Sequence, residues 1–235
     1  MASRYRLRAA FLGFPALAAS LVLAAHVGAA TRPPRMPCPP KGQAVIAEDA
    51  TMRVYRPKVT ARNESELPVV ACVIASRTRM TLIPASVPRA SDRISDPGSL
   101  RRLVLAGDVA GLVIGHLSGV DTGYSEIVVA DVARRAILRE TSAGHSVDAG
   151  YVFWAGPTAL DVAPDGGVAW IVETAARGPR PRDSAVFAAP RTGPIVTLDE
   201  GPRIEPESLF LSGDTVNWVD GGTTRSAPLP SAPTP

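Results

Sequence analysis

The sequence predicts an all-β domain built from repeated antiparallel units, and two observations carry that prediction. First, beyond residue 30 the chain has no helical periodicity; it shows short apolar runs divided by Gly, Pro and Asp, the pattern of a sandwich, barrel or propeller. Second, one segment recurs. Ala44 to Arg56 reads AVIAEDATMRVYR, Leu103 to Gly115 reads LVLAGDVAGLVIG, Leu160 to Val172 reads LDVAPDGGVAWIV, and Leu209 to Gly221 reads LFLSGDTVNWVDG. Each is an apolar strand, a tight acidic turn and a second apolar strand.

The turn aspartates Asp49, Asp108, Asp165 and Asp214 set the register, at separations of 59, 57 and 49 residues. Aspartate suits a tight reversal because it tolerates positive φ or bonds its own backbone. Trp170 and Trp218 fall at corresponding places in second strands, with Leu112 and Val54 or Tyr55 in the same role. A further strand pair follows each of the first three hairpins, at Val69 to Leu82, Ile127 to Leu138 and Ala185 to Leu198, each reversing at a basic turn. Four strands per unit of about 50 residues is the anatomy of a propeller blade. The fourth unit is short, since a single run from Thr223 to Leu229 precedes the Pro-rich end of the chain. The expected architecture is β-propeller-like, with about four blades. A twisted open array and a two-sheet sandwich are the alternatives, because the Pro-rich stretch from Thr31 to Pro40 is poorly suited to supply a ring-closing strand.

The segment Ala163-Pro164-Asp165-Gly166-Gly167-Val168-Ala169-Trp170 resembles the Pro-Asp-Gly hairpin of bacterial β-propeller repeats related to the WD-type repeat. The unit also resembles repeats in uncharacterised exported proteins of actinobacteria, most of all from Ile204 to Trp218. These motifs specify turns and strands, so the resemblance implies a fold and not a chemistry.

The start of the chain reads as an export signal. Arg4, Arg6 and Arg8 precede an uncharged run from Ala9 to Ala30, which ends in the small residues Val27-Gly28-Ala29-Ala30. Cleavage after Ala29 or Ala30 is expected, with an uncleaved anchor as the alternative. No Arg-Arg pair precedes the run and no lipid-attachment cysteine follows it. The expected organisation is a signal peptide over 1–30, a Pro-rich leader over 31–42, the β domain over 43–229 and a disordered Pro-rich tail over 230–235. The chain has 25 basic and 22 acidic residues; without the three arginines of the signal the two balance, which argues against nucleic acid or an anionic membrane as partner. Cys38 and Cys72 are the two cysteines, and in an oxidising compartment they are expected to bond.

Candidate sites are few. Asp121-Thr122-Gly123 matches the short signature of aspartic proteases, a chemistry that needs two such aspartates, and there is one. Its simpler reading is a turn between strands near Ile114 and Ile127. Gly115-His116-Leu117-Ser118-Gly119 has the ingredients of a nucleophile elbow, with the serine displaced by one position and no helix following. His116 and His145 lie in no metal-ligand spacing. Asp199, Glu200, Glu205 and Glu207 offer paired carboxylates, but Pro202 and Pro206 interrupt them and an exposed loop is the better reading. Trp170 and Trp218 have the chemistry to stack on a sugar, yet equivalent repeat positions favour core packing. No catalytic, cofactor or metal site is therefore assigned. The expected function is an exported, non-enzymatic module that binds a protein or glycan partner. The alternatives are an extracytoplasmic hydrolase using Asp121 or the Glu205–Glu207 region, and a cell-wall or glycan binder displaying exposed aromatics.

Overall fold

The computed structural model describes residues 37–57, 67–85, 98–117, 123–143, 156–173 and 183–232. Among them every regular element is a strand, and the strands form four antiparallel sheets in chain order. Sheet A holds β1 (Gln43–Glu48), β2 (Met52–Pro57), β3 (Val69–Val73) and β4 (Arg79–Ile83). Sheet B holds β5 (Ser99–Ala106), β6 (Val109–Leu117), β7 (Gly123–Asp131) and β8 (Ala136–Ser142). Sheet C holds β9 (Pro157–Val162), β10 (Val168–Glu173), β11 (Ser184–Ala189) and β12 (Val196–Gly201). Sheet D is three-stranded, with β13 (Phe210–Ser212), β14 (Thr215–Asp220) and β15 (Thr223–Pro228). All four are up-and-down meanders, and the repeated segments of the sequence fall on β1–β2, β5–β6, β9–β10 and β13–β14.

The four acidic turns close in two ways, and the difference is local chemistry. In the first and third units the aspartate bonds its own backbone: Asp49 accepts from the Thr51 and Met52 N–H groups, and Asp165 accepts from Gly167 N–H. In the second and fourth units the left-handed conformation falls on the glycine before the aspartate, Gly107 at φ 62° and Gly213 at φ 58°. There two residues suffice to reverse the chain, with Ala106 paired to Val109 and Ser212 to Thr215. For Asp49, burial raises the carboxyl's pKa, but the hydrogen bonds from Thr51 and Met52 together outweigh it and lower the pKa below the ordinary value.

Alternation along each strand sends side chains to two faces, and the faces of successive sheets pack on one another. Met52, Val54 and Ala71 of sheet A meet Leu112, Ile114 and Val128 of sheet B. The opposite face of sheet B, with Val113, Ile127 and Val129, meets Leu160, Trp170 and Phe187 of sheet C. Sheet C in turn presents Ala159, Ala169, Ile171 and Ala188 to Val216 and Trp218 of sheet D. The alanines here make room for the indole, a large-against-small fit at close-packed density. Gly111 serves the same end between B and C, since a Cβ on it would stand 3.2 Å from the Cβ of Val162. First strands lie side by side along the stack, β1 by β5, β5 by β9 and β9 by β13. Among the described residues no core cluster joins sheet D to sheet A.

Polar clasps fix each interface. Thr51 Oγ1 donates to the Gly107 carbonyl at 2.6 Å, joining the first turns of A and B. Arg139 Nη2, on β8, donates to the carbonyls of Pro190 and Gly193 in sheet C, both at 2.8 Å. Between C and D, Asp161 accepts from Leu211 N–H at 2.7 Å. A Cys38–Cys72 disulfide ties the segment before β1 to β3. Among the described residues no helix is long and apolar enough to cross a membrane. Both features are compatible with an extracytoplasmic protein.

Candidate functional site

An open cleft of about 760 Å³ lies on the first-strand side of the stack, at the end of sheet C remote from the Asp165 turn. Three pieces of chain meet there. Sheet B contributes Arg102 from β5, where a bulge between Leu100 and Arg102 interrupts the pairing with β6. Sheet C contributes Pro157 and Thr158 at the start of β9 and Glu173 at the end of β10. The connection from β12 to β13 contributes Glu205, Pro206, Glu207 and Ser208. The volume lies within the range of small-molecule sites, about 300–1,000 Å³.

The wall formed by that connection is held in place by its own hydrogen bonds. Glu205 N–H donates to the Val219 carbonyl at 2.9 Å, and Ser208 Oγ donates to the Glu205 carbonyl at 2.8 Å while accepting from Val219 N–H at 2.9 Å. Thr158 Oγ1 donates to the Pro206 carbonyl at 2.6 Å and so fastens the wall to sheet C. Arg102 Nη2 reaches Glu207 at 3.3 Å across the opening. Both partners are well exposed, so this pair adds little stability. The lining carries three carboxylates and one guanidinium.

A second polar group lies at the far end of β6 and β7, on the face turned towards sheet A. His116 Nε2 stands 3.2 Å from Glu126 Oε2, and the imidazole stacks on the Tyr124 ring with centroids 4.6 Å apart. Burial pushes the Glu126 carboxyl above its ordinary value, the charge of Glu140 on β8 adds to this, and His116 opposes it. Tyr124 is half exposed. Among the described residues no group of three or more His, Cys, Asp or Glu is placed to hold a metal ion.

The residues singled out in the sequence separate in space. Asp199 and Glu200 lie on β12, where the Asp199 carboxylate accepts from Trp218 Nε1 at 2.8 Å. Glu205 and Glu207 line the cleft instead, so the four acids do not act as one group. Trp170 is 1% exposed and donates to the Ala143 carbonyl, and Trp218 is 4% exposed; both are core side chains. His116 sits within strand β6 and not at a strand-to-helix turn. Gly123 opens β7, whereas Ser118, Gly119, Asp121, Thr122 and His145 lie outside the described residues. Sequence reasoning missed Arg102, Thr158 and Glu173, which come together only when sheets B and C stack. No protein-family model matches the chain, and a search of curated proteins finds no match.

Proposed function

We propose that this chain is an exported, non-catalytic binding module, and that the cleft between β5, β9 and the β12–β13 connection is where it takes its ligand. The observation that carries the reading is the cleft itself: a concavity of about 760 Å³ whose loop wall is fixed before any ligand arrives. Preorganisation of that kind reduces the ordering cost of binding. Glu205 and Glu207 against Arg102 favour a ligand with an ammonium or guanidinium group, such as a basic peptide side chain, over an anion.

The stacked four-stranded meanders with neighbouring first strands also support a propeller-type array of four blades, the last of them one strand short. We read that array as open. The outward face of sheet D carries Ser212, Thr215, Asn217, Thr224 and Ser226, the polar side chains expected of a terminal repeat facing solvent, together with Val219 and a half-exposed Phe210. Export through the N-terminal signal belongs to the same reading. The hydrolase alternative rests on Asp121 and the Glu205–Glu207 region, and the fixed, ion-paired wall fits binding better than turnover.

Isothermal titration with spermidine, arginine amide, a neutral disaccharide and a phosphopeptide tests the proposal. The two cations should bind, with affinity falling as salt rises, and Glu205→Gln with Glu207→Gln should weaken them by about tenfold, the worth of one or two exposed charge pairs. Binding confined to the anion, or cation binding indifferent to both substitutions, would remove the cleft from the account.

A further inference from the structure

Among the described residues, sheets B and C have a neighbouring sheet on each face, and sheet A has one on a single face. Cross-strand partners share a face, so the other face of sheet A carries Arg53, Tyr55, Val70, Cys72 and Arg79. At the end of a stack these side chains would stand in water. Tyr55 is nevertheless only 4% exposed and Cys72 is fully buried. Burial raises the pKa of the Tyr55 hydroxyl, with the Arg79 guanidinium opposing.

The strap from Pro37 to Pro40 is fastened to this face by three bonds. Cys38 is joined to Cys72, Arg53 Nη1 donates to the Cys38 carbonyl at 3.2 Å, and Arg79 Nη2 donates to the Pro37 carbonyl. Both arginines grip main-chain oxygens, and Cys38 supplies the covalent link. Pro37, Pro39 and Pro40 have no N–H, so the strap covers the face without offering a strand edge of its own. The two outermost described sheets thus differ: the outward face of sheet D is mostly polar, with Phe210 half exposed on it, while a separate piece of chain is bonded to that of sheet A.

We propose that Pro37–Pro40 is a cap built in cis, which ends the stack at sheet A in place of a further sheet and keeps that face from associating with a second copy of the chain. A repeat array whose end face is left open is a template for self-association, and an atypical covering segment is the usual protection.

Sedimentation velocity on the oxidised wild type and on Cys38→Ser, across a dilution series, tests the proposal, with far-UV circular dichroism as the check on folding. The wild type should remain monomeric. Cys38→Ser should gain mass to a dimer or beyond as concentration rises, and its Cys72 thiol should become open to alkylation. Should Cys38→Ser fail to fold, brief reduction of the folded wild type by a dithiol achieves the same release, forming two thiols at the expense of the dithiol. Arg53→Ala with Arg79→Ala, which keeps the disulfide, should show a weaker form of the same association. Released protein that stays monomeric at every concentration while its circular dichroism is native overturns the proposal, whether or not Cys72 reacts.

Discussion

Sheets C and D come from the same repeated sequence and end in very different surroundings. In sheet C every residue of β11 is buried, because sheet B covers one face and sheet D the other. In sheet D only Val216 and Trp218 of β14 are buried, alternating with half-buried neighbours, and β15 is exposed along most of its length. The two tryptophans show the same contrast. Trp170 stacks on Phe187 at 5.5 Å and gives its N–H to a main-chain carbonyl, while Trp218 gives its N–H to a carboxylate, Asp199, at a partly solvated rim. A repeat therefore fixes which strands form, and place in the stack decides how much each strand contributes to stability.

The largest effect should come from sheet C. Trp170→Ala is expected to lower unfolding free energy by about 3–5 kcal/mol, the range for removing a large buried aromatic. Chemical denaturation with the slope unchanged would measure it. Trp218→Ala should cost less, about 2–3 kcal/mol, because one side of its sheet already faces water. Equal losses would break the comparison and imply that sheet D is as enclosed as sheet C.

Much of this contrast is legible in the sequence. The alternation of Val216 and Trp218 with Thr215, Asn217 and Val219 marks a strand with one dry face, and the run AVFAAP marks one buried on both. The acidic turns, the corresponding tryptophans and the short last unit follow from local rules that the tertiary structure does not overrule. The cleft is not legible, since Arg102, Thr158 and Glu173 sit on different strands with no shared spacing and meet only through sheet stacking. The acids from Asp199 to Glu207 mislead for the same reason: proximity in sequence places Asp199 under an indole and Glu207 at a cleft.

A smaller effect sharpens the picture in sheet B. Glu126 has its carboxyl pKa raised in the folded protein, so the ionised form is less favourable there than in the unfolded chain. Its contribution to stability therefore falls as pH rises through the raised folded value and is restored below the ordinary carboxylate range. Glu126→Gln should melt higher than wild type at neutral pH and converge with it in acid, as followed by thermal melts across pH. A gap that widens in acid would contradict the assignment of burial and Glu140 as the cause. The smallest change is expected at Arg135, which adopts φ 55° in the β7–β8 turn. Arg135→Gly should be worth about 0.5–1 kcal/mol of added stability as the left-handed strain is relieved, net of the extra freedom of the unfolded chain.

The most direct test of an open stack, covered at sheet A and bare at sheet D, is native-state hydrogen exchange followed strand by strand. The account predicts that amides of β10 and β11 exchange only through global unfolding. Those of β14 and β15 should exchange about 10- to 100-fold faster through local opening, as expected for strands with a solvent-facing sheet surface. Protection in β14 and β15 equal to that of β10 and β11 would contradict it, because such protection requires the outer face of sheet D to be covered as well.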